Sequence, residues 1–438
     1  MCILKWTIDM ILSESKPAVV TFIDYTAAFD TVSHKFLDQA LSSAGISTKL
    51  RRIVQAIFSA ASGCVRITKP GGCQEISEPF NISRGVLQGD IFSPVAFITG
   101  LMHIFETHDI KNAGVTVGSA PYQLTITSLE YADDAGLIDT SVERASTRIS
   151  AISSGSRNDA SMTISIPKTK VMHIHKKVRV SETTDEEIAS MGFTNICSEC
   201  QRDFPTKRGL AIHQGRWCDG GKTIRSRKGT LADKTVQHTK RKKYEDSLGH
   251  VVLEGEQLDN VYTFEYLGCR IQSDGDEKAD INHRMSIAQT IFNSLSHLWG
   301  DHRLTNNMKI RLYISAVCST LNHGCEAWTF SPSVKKMLNG FNSRCLSFIT
   351  GEQRKETATN PDFDLVAAVV RRRLRFAGHI LRMDENRLLR RTFIAHMNSL
   401  KCRDQSILYG CEEMSLAEIT DLAQDRSAWS HFVNSLDL

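Results

Sequence analysis

The sequence contains no apolar run close to the roughly 18 residues that a membrane-spanning helix needs. The N-terminal segment MCILKWTIDMIL is apolar, but Lys5 and Asp9 interrupt it and no small-residue cleavage site follows. This segment therefore predicts an amphipathic helix and argues against a signal peptide. Hydrophobic residues make up 41% of the chain and charged residues 23%, and these proportions are typical of a soluble globular protein.

The chain also has no cysteine framework of the kind that crosslinks secreted proteins. Its 12 cysteines are scattered over 438 residues, which favours reduced thiols, with one metal site, in an intracellular protein. The net charge of +4 is too small to identify a polyanionic partner. No internal repeat is present, and the length predicts two or three folded units.

Basic residues are concentrated in two segments, 222–243 and 371–391. In the second segment Val370, Leu374 and Ala377 recur at helical spacing, so Arg371, Arg375 and Arg382 are predicted to face outward. Such a surface would attract nucleic-acid phosphates. A solvated basic helix face explains either segment equally well when it is considered alone.

The N-terminal part of the chain alternates irregularly between predicted strands and helices. Residues 18–24, AVVTFID, predict a buried strand that ends at Asp24. Residues 123–139 predict a hairpin whose turn contains Asp133 and Asp134. Antiparallel hairpins in this arrangement favour an α+β domain over a doubly wound one.

The adjacent aspartates of that hairpin need a cation, a base or solvent to offset their repulsion. Each carboxylate of Asp133 and Asp134 increases the proton affinity of the other beside an apolar sheet. Together with Asp24 they could bind two Mg²⁺ ions, as enzymes that transfer phosphoryl groups do. A solvated turn with two aspartates is the common alternative, and spacing alone does not decide between the two.

Five sequence segments decide the interpretation because they occur together and in a fixed order. They are FIDYTAAFDTV (22–32), SRGVLQGDIFSPVAF (83–97), YADD (131–134), IPKTKVM (166–172) and FEYLG (264–268). This series resembles the characteristic blocks of reverse transcriptases, specifically those of non-LTR (LINE-type) retrotransposons. The resemblance covers residues 1–175 and about 250–438, and it implies a right-hand polymerase palm with an antiparallel sheet and packed helices.

The resemblance also implies roles for individual residues. It implies that Asp24, Asp133 and Asp134 bind two catalytic Mg²⁺ ions. It also implies that Lys168 stabilises or protonates the pyrophosphate leaving group, with a surface lysine as the alternative. Phe29 would exclude a 2′-hydroxyl on the incoming nucleotide, with core packing as its alternative role. The remaining implied contacts are Gln88 and Gly89 for template and incoming nucleotide, and Tyr266, Leu267 and Gly268 for the primer terminus.

Some features depart from the family pattern. Ser165 occupies a position where the family often has asparagine, and Phe92 replaces the usual leucine before Ser93 and Pro94. Asp24 lies so close to the start of the chain that we expect an N-terminally truncated protein without fingers or endonuclease. The family's fingers grip template and nucleotide, so this expectation puts the activity in doubt.

Residues 178–250 are polar and charged and contain the spacing Cys-x2-Cys-x12-His-x4-Cys. The four predicted ligands are Cys197, Cys200, His213 and Cys218. Their spacing is typical of a tetrahedral structural Zn²⁺ site. Phe204 and Leu210 occupy the core positions of a small ββα finger, so a C2H2-like zinc finger with cysteine as its last ligand is expected. Its use would be nucleic-acid binding, and a metal-free segment is the alternative.

The complete prediction is an α+β protein with four regions. They are the palm (1–177), an insertion with a zinc finger at about 195–220 and a basic linker (178–250), the end of the palm with the primer grip (251–275), and an all-α thumb and C-terminal region (276–438). Trp299, Trp328 and Trp429 are the expected core anchors of the last region.

The predicted activity is RNA-directed DNA synthesis, in which deoxynucleotides are added to a primer 3′-hydroxyl on an RNA template. The expected partners are an RNA template, a DNA primer or target and dNTPs, with no membrane, and the expected location is the nucleus. The alternative is a catalytically inactive retrotransposon-derived protein that binds nucleic acid. A zinc-finger regulator unrelated to polymerases would require the five ordered segments to be coincidence.

Overall fold

The structure is a computed structural model, and it places most of the chain outside the predicted insertion. The described residues are 1–69, 72, 74–87, 89–111, 113–132, 134–176, 195–196, 203–204, 247–328, 331–351, 363–399, 408, 411 and 413–436. Gln88, Asp133 and the four predicted zinc ligands, Cys197, Cys200, His213 and Cys218, lie outside these residues.

The helices lie mainly at the N-terminus and in the C-terminal third. They are α1 (Cys2–Glu14), α2 (Ala28–Thr31), α3 (His34–Ser43), α4 (Thr48–Ala60), α5 (Ser93–His108), α6 (Val142–Asn158), α7 (Lys278–Ser294), α8 (Ser296–Trp299), α9 (Asn306–Leu312), α10 (Ser319–Leu321), α11 (Pro332–Thr350), α12 (Leu365–Leu381), α13 (Leu388–Asn398), α14 (Leu416–Gln424) and α15 (Arg426–Ser435). A π-helical segment, Tyr313–Cys318, joins α9 to α10, and a 3₁₀ turn spans Cys325–Ala327. No helix in the described ranges is both long and apolar enough to cross a membrane.

The strands are short and mostly antiparallel. They are β1 (Ala18–Ile23), β2 (Tyr25–Thr26), β3 (Ser62–Gly63), β4 (Arg66–Thr68), β5 (Gln74–Ile76), β6 (Phe80–Asn81), β7 (Val115–Val117), β8 (Leu124–Ile126), β9 (Ser128–Tyr131), β10 (Asp134–Asp139), β11 (Thr163–Ile164), β12 (Lys170–Ile174), β13 (Asn195–Ile196), β14 (Asp203–Phe204), β15 (Val252–Leu253), β16 (Glu256–Gln257), β17 (Asp259–Asn260), β18 (Thr263–Tyr266) and β19 (Cys269–Gln272).

A five-stranded sheet in the order β17-β12-β1-β10-β9 forms the centre of the N-terminal part. β1 lies in the middle and pairs antiparallel with both β10 and β12, and only the β12–β17 pair is parallel. The α+β class predicted from the sequence is therefore confirmed. The hairpin predicted over 123–139 is wrong in detail, because β8 pairs with β7 and only β9 pairs with β10.

The sheet is covered on both faces, which explains why β1 is buried along its whole length. Val19 and Ile23 contact the core that includes α3, α5 and α6. Val20 and Phe22 point to the opposite face, against apolar residues of α1 and the β7–β8 hairpin. This alternation follows from the two-residue period of a strand. A run rich in β-branched residues, in which Thr21 is the one polar side chain, therefore fits the central position that it occupies.

The C-terminal helices share a core of their own. Trp299, Trp328 and Trp429 are 3%, 1% and 2% exposed, so the prediction that they anchor this core is confirmed. The Trp6 ring of α1 belongs to the same core and lies 5.5 Å from the Phe393 ring of α13. Helix α1 therefore contacts both the sheet and the helical region.

The basic segment 371–391 is used within the fold more than the sequence suggested. Arg375 is exposed and donates to Asn434 Oδ1 (3.1 Å), whereas Arg371 and Arg382 are half-buried, and the Arg382 guanidinium donates to the Ala423 carbonyl (2.7 Å). Arg372 is paired with Glu326, and the neighbouring Arg373 is fully buried. The outward position predicted for the three arginines is therefore confirmed for Arg375 and only partly for Arg371 and Arg382.

Candidate active site

Asp24 is the first residue after β1, and the segment that follows β11 fixes its backbone. The Asp24 N–H donates to Thr169 Oγ1 (3.3 Å), and the Ser165 N–H donates to the Asp24 carbonyl (2.8 Å). Its carboxylate is 39% exposed, yet Oδ2 is shielded from solvent and accepts no hydrogen bond from any described residue. Lys168 Nζ lies 3.4 Å from that oxygen. A buried carboxylate oxygen without a donor is costly unless a cation lies beside it.

Strand pairing brings Asp24 beside the second acidic segment. Ile23 pairs with Ala135 across β1 and β10, so Asp24 falls opposite Asp134 in the same register. Directly opposite residues of antiparallel strands lie about 5 Å apart at their Cα atoms, and their side chains share one face. Asp134 is exposed at the start of β10. The sequence prediction placed it in the turn, whereas the structure places it in the strand.

The turn between β9 and β10 is as short as a hairpin allows. Tyr131 pairs with Asp134, which leaves Ala132 and Asp133 as the connecting residues. Ala132 has a φ of +55°, a left-handed conformation that is strained for alanine and is commonly found at functional sites. Asp133 itself lies outside the described residues, so its predicted metal-binding role stays a prediction.

Asp24 and Asp134 share a small cavity of about 110 Å³. The cavity is lined by Phe22, Ile23, Asp24, Asp134, Ala135, Lys168, Phe264 and Tyr266. Two carboxylates, one lysine and an aromatic wall therefore meet at one end of the central sheet. Four residues predicted from the sequence, namely Asp24, Asp134, Lys168 and Tyr266, are brought together here.

The hairpin β18–β19 supplies the aromatic wall of the cavity. Phe264 stacks on Phe22 with ring centroids 4.1 Å apart. The Tyr266 hydroxyl donates to the Leu129 carbonyl (3.2 Å). Burial raises the pKa of Tyr266 well above its usual value, with smaller contributions from Asp134 and Glu130. Tyr266 therefore stays protonated and continues to act as a hydrogen-bond donor.

The primer-contact residues form the turn of that hairpin. Tyr266 pairs with Cys269, and Leu267 and Gly268 between them have φ values of +51° and +69°. Two consecutive positive φ values are typical of a tight two-residue hairpin turn. Gly268 is exposed at the tip, whereas Tyr266 is buried. The Tyr266 ring is therefore turned into the protein and lines the cavity, and the primer-contact role of Tyr266, Leu267 and Gly268 stays a prediction.

Phe29 lies on α2 and stacks on Phe97 of α5, with ring centroids 4.2 Å apart and an interplanar angle of 22°. The residue is half-buried. Its packing role is therefore real, and its role in excluding a 2′-hydroxyl stays a prediction.

The loop that carries Gly89 is anchored by Gly85, a residue that the sequence interpretation missed. The Gly85 N–H donates to the Val32 carbonyl (2.8 Å), and the Gly85 carbonyl lies 2.7 Å from His34 Nε2. Gly85 has a φ of +81°, and a Cβ there would lie 2.6 Å from the Asp30 carbonyl oxygen. Gly89 has a φ of +92° with nothing within 4 Å of such a Cβ. The close backbone approach therefore occurs at Gly85, while Gly89 leaves open space.

These two glycines give a matched pair of substitutions. We expect Gly85→Ala to lower the free energy of unfolding by more than about 2 kcal/mol, because left-handed strain of about 1–2 kcal/mol adds to an unavoidable backbone clash. We expect Gly89→Ala to cost only the strain, about 1 kcal/mol. Urea unfolding monitored by circular dichroism measures both values. Equal losses in the two variants would contradict the assigned contacts.

A buried arginine at the far end of the β9–β10 hairpin was also missed. Arg148 of α6 is 0% exposed, and its guanidinium donates to both carboxylate oxygens of Asp109 at 2.6 Å each. It also donates to the carbonyls of Thr127 (2.8 Å) and Ile138 (3.2 Å) and lies 3.4 Å from the buried carboxylate of Asp139. Through these contacts Arg148 links the end of α5, helix α6, the residue before β9 and the end of β10. The only signal in the sequence is that two aspartates, Asp109 and Asp139, precede Arg148. The hydropathy pattern does not reveal that the three side chains are in contact.

The residues at the cavity fit a divalent cation. Asp24 Oδ2 offers a shielded carboxylate oxygen without a hydrogen-bond donor among the described residues, and Asp134 lies across the strand pair. Carboxylate oxygens are the ligands that Mg²⁺ prefers. Within the described residues, which exclude Asp133, no three His, Cys, Asp or Glu side chains converge as a metal site.

Comparison with known proteins gives a family and a relative. The sequence profile described as reverse transcriptase (RNA-dependent DNA polymerase) matches residues 4–271. An uncharacterized transposon-derived protein of Caenorhabditis elegans is 25% identical over 142 residues, which is 30% of this chain and 50% of that protein. The chain thus aligns with half the length of this relative. Because the family profile covers more than half of the 438 residues, the chain belongs to the reverse transcriptase family.

Proposed function

We propose that the chain is the polymerase core of a non-LTR retrotransposon reverse transcriptase, which adds deoxynucleotides to a primer 3′-hydroxyl on an RNA template. The observation that carries the proposal is the pair of carboxylates, Asp24 and Asp134, opposite each other in one cavity. The transposon origin of the similar Caenorhabditis elegans protein supports the retrotransposon assignment. Action on chromosomal DNA would place the protein in the nucleus.

Asp24, Asp134 and Asp133 are the residues that would hold two Mg²⁺ ions. Bound Mg²⁺ would supply positive charge for the attacking and leaving oxygens of nucleotidyl transfer. Asp24 directly follows β1 and Asp134 begins β10, so the pairing of these two strands would hold both carboxylates in place before any ligand arrives. Rigid positioning and electrostatics account for most of the rate in reactions of this type.

Other residues of the site have separate proposed roles. The Lys168 ammonium, 71% exposed at its side chain, would stabilise charge on the pyrophosphate leaving group. Phe29 would lie against the sugar of the incoming nucleotide, and Gln88 with the open backbone at Gly89 would contact template and nucleotide. The turn backbone at Leu267 and Gly268 would hold the primer end.

The decisive experiment is primer extension by the purified chain on an RNA template with Mg²⁺ and labelled deoxynucleotides, beside an Asp133→Asn variant. Extension by the wild type and not by the variant is the expected result. A wild type that binds the primer–template but never extends it would contradict the proposed polymerase.

One observation favours a second candidate function, a catalytically inactive protein that binds nucleic acid. Lys168 Nζ already supplies a positive charge 3.4 Å from Asp24 Oδ2. If the lysine offsets this carboxylate permanently, no metal is needed there. If the protein is inactive in this way, removal of Mg²⁺ should not change its affinity for primer–template. If the protein is a polymerase, it should bind dNTP only when Mg²⁺ is present.

We further propose that residues 195–220 form a structural zinc finger with the ligands Cys197, Cys200, His213 and Cys218. The antiparallel pair β13–β14 supports this proposal, because a ββα finger begins with such a hairpin. Elemental analysis of the purified chain should give one zinc per chain, and Cys200→Ser should remove it. Cys64→Ser is the matched control, since Cys64 is a free and exposed cysteine of the palm. Equal zinc contents in the two variants would contradict the assignment.

A further inference from the structure

The helical region contains an open cavity of about 220 Å³ that the proposed polymerase chemistry does not use. It lies between α7, α8 and α11. Its floor is aromatic, because Phe292 and Trp299 stack with ring centroids 5.1 Å apart. The Trp299 indole N–H donates to the Phe292 carbonyl (2.8 Å), so this floor is fixed.

An exposed aromatic ring forms one side of the cavity. Phe348 is 64% exposed, and its edge contacts Phe292 at a centroid distance of 5.8 Å and an angle of 73°. One free face of Phe348 therefore remains open to a flat ligand. Arg344 lies four residues earlier, on the same face of α11, and also lines the cavity.

The opposite rim carries amides. The Gln289 side chain donates to Asn293 Oδ1 (2.9 Å), and both residues line the cavity. Each amide retains further donors or acceptors beyond this bond, of the kind that read the edges of nucleobases. An aromatic face, a cation and two amides are the groups with which proteins bind unpaired bases.

The charge around the cavity also suits nucleic acid. Helix α11 contains Lys335, Lys336 and Arg344 and no acidic residue. Residues 286–299, which form the other wall, contain no acidic residue either. A phosphate backbone would therefore meet positive charge and no carboxylate from these two walls.

Helix α7 gives the distance between the β18–β19 hairpin and the cavity. Asp280, in the first turn of α7, accepts a hydrogen bond from the Arg270 N–H of β19 (2.9 Å). From Asp280 to Asn293 the helix rises about 20 Å at about 1.5 Å per residue. This distance corresponds to about six stacked nucleotides at about 3.4 Å each.

We propose that this cavity binds one unpaired base of a single-stranded nucleic acid, with the base stacked on Phe348 and its phosphate near Arg344. The site goes beyond the proposed function, because it requires nucleic-acid binding and no catalysis. It would hold a strand that has left the duplex.

The test uses the full chain and a single-stranded DNA of about ten nucleotides that carries one 2-aminopurine. Stacking quenches this base, so wild-type binding should lower its fluorescence. Phe348→Ala should weaken binding about tenfold and abolish the quenching, whereas Phe348→Trp should preserve both. Arg344→Gln should reduce the slope of log affinity against log salt by about 0.7. Met308→Ala is the control, because Met308 is 54% exposed but does not line the cavity.

Wild-type affinity and quenching in Phe348→Ala would overturn the proposal, and a change in sedimentation of that variant would then assign the surface to contact with a second copy of this chain. Primer extension measured in parallel separates this inference from the proposed function. Quenching that depends on Phe348 in a chain that extends no primer supports the cavity and contradicts the polymerase. Primer extension by a chain whose DNA binding does not depend on Phe348 supports the polymerase and contradicts the proposed role of the cavity.

Discussion

Asp24→Asn should reduce the rate of primer extension at least about a thousandfold while leaving the affinity for primer–template within about twofold of wild type. The substitution keeps the shape of the side chain and removes its charge. A carboxylate that holds a catalytic metal contributes several kcal/mol to the transition state, and about 1.4 kcal/mol is a factor of ten in rate. Binding of the duplex depends on other surfaces and should not change.

The same variant should fold as well as wild type. Asp24 Oδ2 accepts no hydrogen bond from the described residues, and Asp134 lies opposite it across the strand pair. Neutralising one of two facing carboxylates therefore removes repulsion and breaks no described hydrogen bond of Oδ2. It also removes the ion pair with Lys168, but that lysine is 71% exposed, so the pair contributes at most about 1 kcal/mol. The melting temperature should be equal to that of wild type or higher. A variant that loses activity because it unfolds would leave the role of Asp24 unsupported.

Asp421→Asn provides the matched control, because Asp421 is exposed on α14 in the helical region. Both variants lose one negative charge, so a general effect of net charge would appear in both. Extension at the wild-type rate by Asp24→Asn would contradict the proposed mechanism. Equal loss in the two variants would show that the assay responds to charge and not to the site.

Local sequence was enough to predict β1 and the position of Asp24. A run of β-branched and aromatic residues has few structural alternatives, and the polar residue that follows it must lie at a strand end. The pairing of β1 with β10 could not be predicted in register, because it joins residues more than 100 positions apart. Only that register places Asp24 opposite Asp134, although family resemblance suggested that the two meet.

The residues that the sequence interpretation missed or misplaced depend on tertiary contacts. Gly85 is needed because the Asp30 carbonyl lies where its Cβ would be, and no local pattern reports this. Tyr266 occurs in a segment that suggested a surface turn, yet β18 packs its ring into the core. Arginine is rarely buried, so Arg148 within the polar helix α6 suggests solvent exposure until its four partner residues in space are known.

Arg148→Met should lower the free energy of unfolding by about 3–5 kcal/mol, because it leaves the carboxylates of Asp109 and Asp139 in or near the core without their cation. Arg148→Lys should recover only part of this loss. Lysine keeps the charge, but it cannot bind Asp109 with two parallel hydrogen bonds and also reach the carbonyls of Thr127 and Ile138. Urea unfolding of the wild type, Arg148→Met and Arg148→Lys at neutral pH measures the three free energies of unfolding and so tests this order.

The loss in Arg148→Met should shrink as the pH falls. Burial already raises the pKa of Asp139 in the wild type, and Arg148 opposes this shift. Without the arginine the folded-state pKa rises further above the value of the unfolded chain. The folded variant then binds a proton that the unfolded chain does not, so its stability relative to wild type increases between about pH 7 and the ordinary carboxyl value of about 4. A difference that is constant over this range would contradict the assigned cluster.

Removing all charges from the Arg148 cluster distinguishes its effect on stability from its effect on primer extension. In the triple variant Asp109→Asn, Arg148→Met, Asp139→Asn this cluster contains no charge, so none of its members is left without a partner ion and most of the stability should return. Arg148 contacts the end of β10, about 17 Å along the strand from Asp134. It also contacts the end of α5, about 24 Å along the helix from Ser93. It therefore holds the distal ends of the two elements that carry Asp134 and the Gly89 loop. We expect the folded triple variant to extend primers more slowly and with a higher KM for dNTP, because small tilts at Arg148 become larger displacements at the site. Wild-type kcat and KM in that variant would show that the arginine serves stability alone.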